Sequence, residues 1–167
     1  MKTAAYWIER LELQAHPEGG YFSENYRSDE HIQEGSLPER YSSQRTLGTS
    51  IYFLLIPESV SNFHRLKSDE IWHYHQGGSA IIHMLGENGV LVSKRIGCDI
   101  ESGDSLQVLI PHGTWFAAEV HSEDYILVGC TVSPGFEFED FELADRQVLT
   151  SAYPDHQTLI ARFTSNG

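Results

Sequence analysis

Residues 61–78 read Ser-Asn-Phe-His-Arg-Leu-Lys-Ser-Asp-Glu-Ile-Trp-His-Tyr-His-Gln-Gly-Gly, and this stretch decides the fold. Two β-rich runs flank Lys67-Ser68, and Gly77-Gly78 closes the second. Side chains alternate across a strand, so Asn62 and His64 share one face while Glu70, Trp72 and Tyr74 share a face of the next strand. His73 and His75 point the other way. A polar set carried into an apolar sheet is how a pocket is encoded.

Outward from that segment the same pattern recurs. Short β-rich runs at 47–56, 61–66, 70–75, 80–85, 90–96, 106–110, 114–120 and 125–132 are separated by Pro57, Gly77-Gly78, Asn88-Gly89, Gly103-Asp104 and Pro111-His112-Gly113. That spacing predicts an all-β sandwich or barrel. Before it, Ala4, Ile8 and Leu11 at helical spacing behind Thr3 predict a helix over 3–14, ended by the breakers of 16–20. Residues 21–27 read as a strand and 28–44 as an exposed loop long enough to act as a lid. After 136, two short helices are expected within 138–163, the second capped by Asp155. The acidic run Glu137, Glu139, Asp140 and Glu142 reads as a solvated face over the anchors Phe136, Phe138 and Phe141.

The chain of 167 residues is expected to form one domain, 1–167, with its barrel over about 21–136. Eleven basic against 24 acidic residues give a net charge of −13, which repels phosphate backbones and anionic lipid. Nucleic-acid and membrane partners are disfavoured. The apolar run 51–56 is far below a membrane span, and Glu9, Arg10 and Glu12 interrupt any signal-like core, so a cytoplasmic protein is expected. Cys98 and Cys130 lack metal-clasp spacing and read as buried reduced thiols without a chemical role.

The residues of the central segment resemble the cupin superfamily. Its first motif, two histidines one residue apart, a glutamate and then a glycine, falls on Asn62, His64, Glu70 and Gly77. Its second falls on Gly103, the run 106–110, Pro111-His112-Gly113 and Phe116, so Asn62 and Phe116 stand where two metal ligands are usual. A closer resemblance is to an uncharacterised cupin family marked by Phe63-His64-Arg65, Asp69-Glu70-Ile71-Trp72-His73, 129–136 (Gly-Cys-Thr-Val-Ser-Pro-Gly-Phe) and Gly19-Gly20-Tyr21-Phe22. That resemblance implies a double-stranded β-helix, the cupin jelly roll, paired as a homodimer and related to sugar-nucleotide 3,5-epimerases.

Three functions are open at this point. The first is a metal-independent isomerase or epimerase on a small polar, carbohydrate-like ligand, with His64 as base and Glu70 as its orienter. Asn62, Trp72, Tyr74, Gln107, Phe116 and Tyr52 would line the pocket, and Tyr74 or Tyr52 would stand in for the tyrosine acid of the epimerases. The second is a metal-dependent enzyme with His64 and Glu70 as ligands; no cofactor is the leading expectation, since two ligands plus water bind a metal weakly. The third is a small-molecule-binding module without chemistry. His73 and His75 are expected on an outer face or dimer seam, and Arg65 at the surface.

Overall fold

The computed structural model describes residues 2–122 and 124–165. Its elements are α1 (Ala4–Arg10), β1 (Gln14–Ala15), β2 (Tyr21–Arg27), β3 (His31–Ile32), β4 (Arg45–Thr46), β5 (Thr49–Leu55), β6 (Val60–Leu66) and β7 (Asp69–Gly77). They continue with β8 (Ala80–Leu85), β9 (Leu91–Ile96), β10 (Gln107–Ile110), β11 (Trp115–Val120), β12 (Ile126–Ser133), β13 (Phe141–Leu143), α2 (Arg146–Ala152) and α3 (Gln157–Arg162). Two antiparallel sheets, ordered β1-β2-β5-β12-β7-β10 and β13-β6-β11-β8-β9, form the jelly roll expected from the sequence.

The core between the sheets follows from alternation. Phe53 and Leu55 of β5, Trp72 of β7, Ile82 and Met84 of β8, Val108 and Ile110 of β10, and Val128 and Cys130 of β12 all point inward and are buried. Parts of the outer faces are covered as well, which is why 51–55 of β5 and 115–118 of β11 read as continuous apolar runs. The helix α1, capped by Thr3, which accepts from the Tyr6 amide, lays Trp7 and Ile8, with Leu11 just beyond its end, over Leu54 and Leu127, and Trp7 Nε1 donates to Tyr125 Oη at 2.8 Å. On the opposite side Leu149, Ile160 and Phe163 of the C-terminal segment pack on Phe63, Trp115 and Ala117.

Three local expectations are corrected. Helix α1 stops at Arg10, because Glu12 takes a left-handed φ of 53° and 14–15 then pair with β2. Asp155 caps nothing; it lies in the turn Pro154–His156, and the capping carboxylate is Asp145, which accepts from the Val148 amide at 2.9 Å. The loop 28–44 is pinned rather than free: Tyr41 is buried with its hydroxyl 2.9 Å from Lys67 O, and Arg40 Nε donates to the same carbonyl.

The acidic run differs most from its reading as a solvated face. Asp140 is buried and binds the wholly buried Arg45 through two contacts, Nε–Oδ2 at 2.6 Å and Nη2–Oδ1 at 2.7 Å. Glu139 adds a contact at 2.5 Å, and Arg45 Nη1 donates to Ser43 O and Gln44 O. This clasp fixes residues 136–141 across one end of the barrel. Cys98 is also exposed, contrary to expectation.

Candidate functional site

At that end the sheets part around a cavity of ≈ 90 Å³, room for a small organic group. Its wall is aromatic and aliphatic: Phe22, Phe53, Trp72, Phe136, Phe138 and Phe141, with Ile51, Leu66 and Val132. Its polar groups are His16, Glu18, His64, Glu70 and Cys130 inside, and Glu24, Arg27 and Thr49 toward the rim.

Alternation alone does not bring His64 to this position. Strand β6 carries one more residue than β11 between the pairs Phe116↔His64 and Ala118↔Ser61, a bulge that turns Ser61 and His64 to the same side. Both reach Glu18: Ser61 Oγ donates to Oε1 at 2.7 Å, and His64 Nε2 lies 3.0 Å from Oε2. Glu18 is held by the loop 16–20, whose carbonyl at Glu18 accepts from both the backbone and the side-chain nitrogen of Asn62. His16, from the same loop, sits among Phe22, Phe138 and Phe141 with ring centroids at 4.7, 6.5 and 5.7 Å.

The loop depends on glycine at a defined point. Gly19 has φ +110°, and a Cβ there would lie 2.0 Å from the Val60 carbonyl oxygen. Gly19→Ala is therefore expected to cost at least about 1–3 kcal/mol in urea unfolding and to displace Glu18 from His64. An alanine variant as stable as wild type would contradict this placement.

Hydrogen bonding fixes the proton inventory. His64 Nδ1 lies 2.7 Å from the Asn62 carbonyl oxygen, which can only accept, so Nδ1 carries a proton. The contact between Nε2 and Glu18 then shares a single further proton. Burial holds His64 down at about 3 and, with Glu70 nearby, pushes Glu18 well above the carboxylate range. Burial thus disfavours the charged form of both partners, which share that one proton across the 3.0 Å contact. Burial also lowers His16 to about 4.

Glu70 has a different environment. It is buried beside Trp72, whose Nε1 donates to Oε1 at 3.0 Å, and beside Cys130 on the paired strand. Burial raises it to about 7, opposed by the bonds from Cys130 and Trp72. That places a titrating carboxyl in the physiological range. The Cys130 thiol is raised by burial and by the neighbouring carboxyls, so it stays protonated.

Of the residues singled out in the sequence, His64, Glu70 and Trp72 line the cavity. Phe116 packs behind His64 with centroids 4.0 Å apart. Asn62 holds the Glu18 loop and the His64 proton rather than the wall. Tyr74 belongs to the core but lies further along the barrel, its hydroxyl donating to Gly77 O. Gln107 faces outward, where Nε2 meets His73 Nδ1 at 2.8 Å. Tyr52 also faces outward, packed near α1 and His75. No residue of 28–44 lines the cavity; 136–141 cross it instead. His16 and Glu18 escaped the sequence reading because they fall in a segment that reads as a helix stop. The clue was a His-x-Glu directly before two glycines.

The residues do not fit the metal centre implied by the superfamily pattern. Phe116 fills one ligand position with a ring packed against His64, the side chain of Asn62 is engaged by the Glu18 carbonyl, and among the described residues no three His, Cys, Asp or Glu groups are placed to hold an ion. The orienter of His64 is Glu18, not Glu70.

A jelly roll with a site at one end of its barrel is the architecture of a cupin. Residues 5–144 match the family described as Cupin superfamily (DUF985), and the chain belongs to that family. It is 32% identical over 144 residues to the uncharacterized protein YML079W of Saccharomyces cerevisiae, covering 80% of this chain and 71% of that protein. Among solved structures, protein SO0799 from Shewanella oneidensis is 38% identical with TM-score 0.91 over the whole of both chains. A hypothetical protein from Leishmania major is 36% identical with TM-score 0.90, covering 99% of this chain and all of that one. An oxalate decarboxylase of Bacillus subtilis shares the fold alone, at 15% identity and TM-score 0.56, over 96% of this chain and 39% of that chain.

Proposed function

We propose that the barrel cavity binds a small carbonyl-bearing organic molecule and moves a proton on it without a metal, as an isomerase or epimerase does. The observation that carries this reading is the pairing, across one apolar cavity, of Glu70, titrating near neutral pH, with a Glu18–His64 pair that holds one shared proton. A base whose pKa matches the working pH is the most effective proton acceptor. Glu70 takes the proton from the carbon next to the carbonyl, the C–H electron pair passes to the carbonyl oxygen as an enolate, and the Glu18–His64 proton stabilises that oxygen. Return of the proton to the former carbonyl carbon, while the α-hydroxyl proton passes to the enolate oxygen and the hydroxyl-bearing carbon becomes the new carbonyl, completes the isomerisation of an α-hydroxy carbonyl compound. The role of base thus passes from His64, both of whose nitrogens are engaged, to Glu70. A sugar-like ring suits the wall by laying its C–H face on the aromatic side chains.

Exchange in heavy water tests this directly. Keto-sugars and other α-hydroxy carbonyl compounds are incubated with the protein in D2O, and loss of the α-proton signal is followed by NMR. Wild type is expected to exchange at least one compound, and Glu70→Gln to slow it by about 10²-fold or more. Wild type inert across the panel, or a glutamine variant of equal rate, would overturn the proposal.

A further inference from the structure

The charged groups around the cavity are three carboxyls, Glu18, Glu24 and Glu70, against one guanidinium, Arg27. That guanidinium is already engaged: Nε and Nη2 bind both oxygens of Glu24 at 3.0 and 2.8 Å, Nη1 binds Glu137 at 2.7 Å, and Nη2 also donates to Phe136 O. The rim therefore carries one cation and two carboxylates, and it does not attract a carboxylate or phosphate ligand. Inside, the nearest bases, His16 and His64, are held neutral by burial. Two buried carboxyls thus face an aromatic-walled space without a cationic side chain of the protein among the described lining residues.

Such a space complements one kind of ligand. The negative faces of aromatic rings attract an organic cation, and a buried carboxyl gains a counter-charge when the cation enters. We propose that the cavity selects an organic cation, a small ligand bearing a protonated or quaternary amine that sits among Phe22, Phe53, Trp72 and Phe138 with Glu70 as its counter-ion. This rests on the reading of the cavity as a ligand site and names the class of molecule that it takes. Entry of the cation ionises Glu70, so binding releases a proton and tightens with rising pH across the physiological range. The ionisable groups facing Glu70 and its ligand are His16, Glu18, His64 and Cys130, with Glu24, Arg27 and Glu137 at the rim; of the interior ones, Glu70 is the group raised to about 7.

The test is calorimetric titration of the full chain with two pairs of probes of similar shape, one cationic and one neutral in each. These are choline against 3,3-dimethylbutan-1-ol and benzylammonium against benzyl alcohol, with benzoate as the anionic control. Each cation is expected to bind about tenfold tighter than its neutral partner at pH 8. Heats in buffers of different ionisation enthalpy are expected to show proton release at pH 6.5. Glu70→Gln is expected to abolish the discrimination while keeping the neutral probes. Equal affinity for neutral and cationic probes, or preference for benzoate, would overturn the cation class and leave the cavity reading intact. No binding by any probe would overturn both.

Discussion

Replacing Asp140 by alanine is expected to lower unfolding stability by about 3–5 kcal/mol, the cost of leaving a buried charge without its main partner. Arg45 is wholly buried, and Asp140 supplies two of its contacts. Glu139, half exposed, keeps a third contact in the variant, which places the loss toward the lower end of that range. Removing both partners together has a different consequence. Arg45→Met with Asp140→Leu leaves no orphaned charge and is expected to recover most of the loss, as apolar replacements of buried ion pairs often do. Urea midpoints at constant slope read both effects. A single-variant loss under about 1 kcal/mol would contradict the clasp. Because the clasp fixes Phe136, Phe138 and Phe141 over the cavity, the alanine variant is also expected to weaken retention of any bound molecule.

The second large effect is a pH-dependent difference between wild type and Glu70→Gln. In the folded chain Glu70 is raised from 4.5 to about 7 by burial. Below the unfolded value both states hold the proton and the stabilisation is fully present. Between the two values the folded state keeps a proton that the unfolded chain releases, so wild-type stability falls as pH rises, and the loss is complete above about 7. The glutamine variant escapes it. Relative to that variant, wild type is expected to lose about 3 kcal/mol between pH 4 and pH 8. His16 and His64, lowered to about 4 and about 3, act in the opposite sense: their contribution is lost as pH falls below the ordinary histidine range. They are common to both proteins and cancel in the comparison. A difference that does not change with pH would show that Glu70 titrates as an ordinary carboxyl.

Much of the fold was legible in the sequence because alternation and turn chemistry are local. The runs read at 80–85, 90–96 and 125–132 lie within one or two residues of β8, β9 and β12. The site was legible only where a strand carries it, as at His64, Glu70 and Trp72. Parity along a strand says which residues share a face; it does not say which face is inside when helices cover the outside. Tyr52 lies under α1 for that reason, and Gln107 faces outward beside His73. Glu18 depends on a loop crossing a sheet edge to meet a bulge in β6, a tertiary arrangement with no periodic signature. Asp140 was hidden in the same way, because its acidic neighbours Glu137, Glu139 and Glu142 remain partly or largely exposed while it alone turns inward to Arg45.

The cavity favours the protonated form of its buried carboxyls, and Glu70 is poised to exchange its proton near neutral pH. The measurement closest to that claim is a carbon-13 NMR titration of the glutamate carboxyls, assigned through Glu70→Gln and Glu18→Gln. The expected result is a Glu70 signal titrating near 7 and a Glu18 signal titrating well above the ordinary carboxylate range. Both signals titrating in the ordinary range of about 4–5 would contradict the account.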